Sequence, residues 1–205
     1  MDELDLLDWK RRVFALYAAV RAEPDGERAV AAWRAGRDAL FARHPQSPIA
    51  PERRAAFTGL SYFPFDPAAR VTAAVEPAER ERFEVPASTG PAMAFTRVGV
   101  ARFSLGDADC ELELYWLDAY GGGLFVPFAD ATSGDESYGA GRYLLDTVKG
   151  ADLGMDGDRL VLDFNLAYNP SCSYDPRWAC PLAPPANRLA IPVRAGERHV
   201  EAPDG

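Results

Sequence analysis

The sequence predicts an α+β fold, a mainly antiparallel β barrel or sandwich preceded by an N-terminal two-helix hairpin. Three observations carry this. Apolar residues recur at helical spacing only within the first 45 positions. From about residue 69 the apolar period becomes two. Gly, Asp and Pro then break the chain at short intervals, as in hairpin-connected strands.

The 205 residues read as a single domain: a helical hairpin over 1–45, an irregular connection over 46–68, and a β core over 69–195 with a Pro-rich loop at 166–187. In the first helix, 3–22, Leu6, Trp9, Val13, Leu16 and Val20 step by three and four. The second, 26–43, presents Val30, Trp33, Leu40 and Phe41, with Glu27 at the positive end of its dipole. Trp9 and Trp33 read as packing anchors. Five prolines between Pro45 and Pro67 exclude long regular elements there, although a helical turn fits 51–57. The run from Phe57 to Phe65 is too apolar to be a free linker and is expected to lie against the β core.

Short strands are expected at 69–75 and 81–86, and a longer one at 93–105 with Gly99 as a bulge. In the next, 109–117, Cys110, Leu112, Leu114 and Trp116 alternate with Glu111, Glu113 and Tyr115, which puts the first set on a core face. Further strands are expected at 124–129, 141–147, 159–165 and 187–194.

With 22 basic against 31 acidic residues the net charge is −9, which argues against a nucleic-acid binder and against an anionic membrane surface. The acidic start, Met1-Asp2-Glu3-Leu4-Asp5, lacks the basic region of a signal peptide, so the expected setting is the cytoplasm.

Two polar constellations stand out. The first holds Asp130, Ser133, Tyr138, Arg142 and Tyr143; the second holds Asp163, Asn165, Tyr168, Asn169, Cys172, Trp178 and Cys180. In a strand at 159–165, Asp163 and Asn165 share one face. That face lines a cavity or meets solvent. Arg142 follows Gly139-Ala140-Gly141, a stretch that allows tight turning. Its guanidinium either clamps a ligand carboxylate or phosphate, or pairs with Asp130 or Asp163. Cys172 and Cys180 lie eight positions apart. They read as structural thiols or a disulfide ahead of a nucleophile, and a nucleophile ahead of a metal site, since neither His44 nor His199 is near in sequence. No metal and no cofactor is predicted.

These segments also carry a resemblance. Asp130-Ala131-Thr132-Ser133-Gly134, Ser137-Tyr138-Gly139-Ala140-Gly141-Arg142-Tyr143, Leu162-Asp163-Phe164-Asn165 with Tyr168-Asn169-Pro170 and Cys172, Trp178 with Cys180-Pro181, and Pro184-Pro185 with Asn187 resemble the signature of the bacterial and archaeal family called domain of unknown function 1684. In the family pattern Thr often stands where this chain has Ser137, and an aromatic where it has Ser171. The resemblance implies no activity.

The expected function is binding of a small polar or anionic molecule where the two constellations meet. Arg142 would hold its charge, with Asp130, Ser133, Tyr143, Asn165, Asn169 and Trp178 as further contacts. The reading extends to a metal-free hydrolase, lyase or isomerase step using Asp163 with Tyr168 or Tyr138. The alternative is a non-catalytic structural or interaction module whose polar motifs form one buried network.

Overall fold

The computed structural model describes residues 2–199. Two helices, α1 (Asp2–Ala22) and α2 (Gly26–Arg43), precede seven strands. These are β1 (Arg70–Val85), β2 (Met93–Leu105), β3 (Ala108–Leu117), β4 (Leu124–Phe128), β5 (Arg142–Asp146), β6 (Met155–Asp156) and β7 (Arg159–Asp163). They form one antiparallel sheet in the order β5-β4-β3-β2-β1-β7-β6. The sheet is a curled half-barrel that stays open. One bridge, Tyr143 with Tyr168, ties β5 at one edge to the chain just beyond β7.

The Asp25 carboxylate caps α2 by accepting from Arg28 N–H. The helices pack closely because Gly36 has no Cβ; one placed there would lie 2.2 Å from Leu16 Cδ2. Tyr17, Val20, Val30 and Trp33 pack on Val161 and Leu166. Leu6 falls outside this stripe and is 42% exposed. No helix among the described residues is long and apolar enough to cross a membrane.

Alternation along β7 buries both of its faces. Leu160 and Leu162 point into the largest core cluster with Ala101, Phe103, Leu112, Phe128 and Leu144, while Val161 faces the helices. Side chains of β5 and β7, at opposite sides of the sheet, meet in that cluster, so it fills the inside of the curl. A second cluster, Val85, Phe95, Tyr115, Phe125 and Tyr143, lies on the other face.

Four expectations change. The strands at 69–75 and 81–86 are one strand, interrupted where Pro77 offers no N–H and the register slips before Glu81. In β3 the buried face switches after Leu114: Tyr115 is 2% exposed and Trp116 42%. The switch sits where β2 bulges between Arg97 and Gly99, and where residues 182–186 cover the other face. The strand expected at 159–165 stops at Asp163, whose carboxylate accepts from Asn165 N–H and caps a short 3-10 turn. No strand forms over 187–194. Asn187, Leu189 and Ile191 make backbone bonds to Ala129 and Ala131, Pro192 lacks a donor, and side chains take both backbone groups of Val193.

Arg142 takes the carbonyls from Val193 onward. It enters β5 beside Gly141, whose φ of 91° and close approach to Phe128 O exclude a side chain. Its guanidinium is 1% exposed, so its donors must find partners inside the fold. It donates to the carbonyls of Val193, Ala195 and Glu197 and to Asp130 Oδ2, at 3.1 Å from the last. Asp130 Oδ2 also accepts from Val193 N–H at 2.7 Å. The same C-terminal segment pairs with the apolar run before β1 through Phe63 N–H to Gly196 O and Arg198 N–H to Ser61 O. Glu197 is buried, with Arg37 Nη2 at 2.9 Å and Asn169 N–H at 3.0 Å from its carboxylate.

Two outcomes follow. Arg142→Ala leaves Asp130 buried and unpaired and strips three carbonyls, so denaturant unfolding should show a loss of about 3–5 kcal/mol without any ligand present. A loss under about 1 kcal/mol would refute this structural role. Burial pushes the Glu197 carboxyl from 4.5 up to about 7, outweighing the opposing pull of Arg37. Between those pH values the folded chain holds a proton that the unfolded chain has released, so this group's stabilisation falls as pH rises, by roughly 3 kcal/mol across the window. Glu197→Gln should flatten that slope; identical pH profiles for the two proteins would rule the effect out.

Candidate functional site

The polar residues singled out in the sequence separate into distinct networks. Asp130 is fully buried; its Oδ1 accepts from Thr132 N–H, Thr132 Oγ1 and Ser133 Oγ, and Thr132 Oγ1 meets Ser137 Oγ at 2.8 Å. With Arg142 this is a closed turn. Both terminal nitrogens of Arg142 already have two acceptors each, so the fold, and not a ligand, takes the clamp.

Asp163 and Asn165 do lie together, but inside the protein. Asp163 accepts from Asn165 Nδ2 and from Arg70 Nη1 at 3.1 Å. Asn165 reads the backbone of Asp66, accepting its N–H at 2.9 Å and donating to its carbonyl at 2.8 Å. This fastens the end of β7 to the turn that starts β1. Asn169 donates to Arg198 O. His44, a residue type often sought for catalysis, contacts Asp8 Oδ2 through Nε2 at 3.1 Å, and its Nδ1 accepts Gln46 N–H at 3.0 Å. Among the described residues no three His, Cys, Asp or Glu side chains gather as a metal site.

The tyrosines and cysteines gather near one another. Tyr143 donates to Pro181 O at 2.6 Å, and its ring stands edge-on to Tyr168. Burial pushes both phenols well above their ordinary range. Tyr138 lies 3.9 Å from Cys172 Sγ and packs against His199, a histidine the linear sequence gave no reason to place there. Trp178 is half-buried, with Arg177 over its ring.

The chain from Cys180 to Asn187 forms a strap over the second cluster. It is anchored at its start by Ser88 N–H to Cys180 O and by Leu182 N–H to Pro86 O. Asn187 anchors its end. Its Oδ1 accepts Glu113 N–H at 2.8 Å, and its Nδ2 donates to Glu113 O at 3.0 Å and Pro127 O at 2.7 Å. The amide thus takes the place of a ladder partner between β3 and β4.

Between these anchors the strap stands away from the sheet and leaves a cleft of about 400 Å³. Phe83, Val85, Pro86, Leu182 and Pro184 give it apolar walls, and Glu113 and Tyr115 its polar end. Tyr115 OH donates to Glu113 Oε2 at 2.5 Å, and Arg97 Nη1 holds Oε1 at 2.8 Å. Burial and then the Glu113 charge push the Tyr115 phenol upward, so it keeps its proton. Glu113 retains unused lone pairs toward the cleft. Neither residue stood out in the sequence, because Glu113 and Tyr115 read as the solvent side of an alternating strand.

A search of curated proteins finds none that matches this chain. Among solved structures, the solution NMR structure of an uncharacterised protein from Haloarcula marismortui is 38% identical, with a TM-score of 0.60, covering 84% of this chain and 94% of that one. The family model described as protein of unknown function (DUF1684) matches residues 55–198, and the chain belongs to that family.

Proposed function

We propose that the protein binds a small, mainly apolar molecule bearing one hydrogen-bond donor or cationic group, in the cleft beneath the strap. The observation that carries this is the cleft itself. Its volume of about 400 Å³ falls in the range of small-molecule sites, and of the two carboxylates among its apolar walls, Glu84 and Glu113, the second is the one held by both an arginine and a tyrosine. Glu113, fixed on two sides by Arg97 and Tyr115, accepts the ligand's donor; the apolar walls take its body. The signature residues build this site from behind: Asn187 sets the wall's distance from β3, and Tyr143 holds Pro181. The reading keeps a small-molecule ligand and drops Arg142 as its anchor. Three thiols without disulfides suit a reducing, cytoplasmic setting.

Phenethylamine and phenylacetate, matched in body and opposite in charge, test it by amide chemical-shift titration. The amine should shift residues 83–86 and 113–115 saturably, and the acid should bind more weakly. Glu113→Gln should cost the amine roughly tenfold in affinity through loss of a charge-assisted hydrogen bond. Leu182→Trp should block both. Equal binding by the Glu113→Gln protein, or saturable shifts confined to another region, would refute the site. Asn187→Ala leaves three backbone groups unpaired and should destabilise the fold by about 3 kcal/mol while weakening the amine further. Unchanged stability and affinity would deny the clamp its role.

A further inference from the structure

We propose that Cys172 and Cys180 form a redox-active dithiol in which Cys172 attacks a peroxide and Cys180 resolves the product as a disulfide. The cleft reading is independent of it. Cys180 is held in place: its carbonyl accepts from Ser88 N–H at 2.8 Å, and its N–H donates to Ser88 Oγ at 3.1 Å. Cys172 sits in a short 3-10 turn, half-buried and so open to a small oxidant. Its N–H donates to Cys180 Sγ at 3.4 Å. That contact sets the Cys180 sulfur directly against the residue that carries the other thiol.

The groups around Cys172 favour its thiolate, the form that reacts. The neighbouring Cys180 thiol contributes most, with the Tyr138 hydroxyl 3.9 Å away adding to it, and together they hold Cys172 below the usual thiol range. Cys180 is pushed the opposite way by the same contact and keeps its proton. Tyr138, pushed up to about 12, stays a donor. Lys149, paired with Asp146 at 3.0 Å, adds positive charge that acts on the pair. Cys110 is an internal control. It is also half-buried, but it lacks these donors, and burial raises it.

In the first step the Cys172 thiolate attacks one peroxide oxygen. The S–O bond forms, the O–O bond breaks, and the leaving oxygen takes a proton from solvent. Sulfur gives up two electrons, which the peroxide accepts, and Cys172 becomes a sulfenic acid. The Cys180 sulfur then attacks Cys172. The S–S bond forms, the S–O bond breaks, and water leaves with the Cys180 proton. A dithiol reductant returns two electrons and two protons by exchange.

The test treats the intact protein with stoichiometric hydrogen peroxide at neutral pH and maps thiols by mass spectrometry without reduction. The expected product is a Cys172–Cys180 disulfide with Cys110 still free. In Cys180→Ser protein, dimedone should label Cys172 at least roughly tenfold faster than Cys110. Cys172→Ser protein should leave Cys180 unlabelled, with circular dichroism confirming that both variants fold. Labelling of Cys110 as fast as Cys172, or oxidation that stops without a disulfide, would overturn the proposal.

Discussion

Buried backbone groups must be paired, and in this protein side chains do what strands usually do. After β7 the chain runs through the interior with many prolines and no regular ladder. At 193–197 its backbone groups are met by Arg142 and Asp130, and its own Asn165 meets both backbone groups of Asp66 in the turn before β1. Asn187 does the same between β3 and β4. Each planar polar group has several fixed donors or acceptors, so one residue can satisfy several backbone atoms at once. Arg suits the first position because five N–H groups on a rigid fork reach carbonyls that a lysine could not span.

This arrangement lets a seven-stranded half-barrel remain open. An open curl leaves both edges and one whole face to be covered. The helical hairpin covers the face near β7, and the strap covers it near β3 and β4. Tyr168 belongs to both covering clusters and also bridges to Tyr143, so the two coverings meet where the chain beyond β7 reaches β5.

The helices and most strands could be read from periodicity because burial on one side writes a pattern into the sequence. The β3 face could not. Which side of Tyr115 is buried depends on a segment 67 positions later, Leu182, that packs against it. Residues 187–194 alternate like a strand, yet their backbone pairs only with Ala129 and Ala131 before Arg142 and Asp130 take that of Val193. The polar motifs divide among separate buried networks, and of the expected neighbours Asp163 and Asn165 do meet. Sequence cannot tell a ligand site from a buried network, since both require polar side chains held in register. Glu113 was hidden for the opposite reason: a Glu on an alternating strand looks like ordinary solvent-facing charge.

The cleft follows from the strap's own chemistry. A segment lying across β3 must either form a ladder with the sheet or carry few unpaired donors. Pro184 and Pro185 have no N–H, so the strap can cross an apolar surface without leaving donors stranded. It is fastened by Ser88 and Pro86 at one end, by Asn187 at the other, and between them by Ala183 N–H to Ala140 O. The bonds the strap makes between its ends, Ala183 N–H to Ala140 O and Asn187 N–H to Pro184 O, run away from the rings of Phe83 and Tyr115, and the space left over those rings opens beside the carboxylate of Glu113.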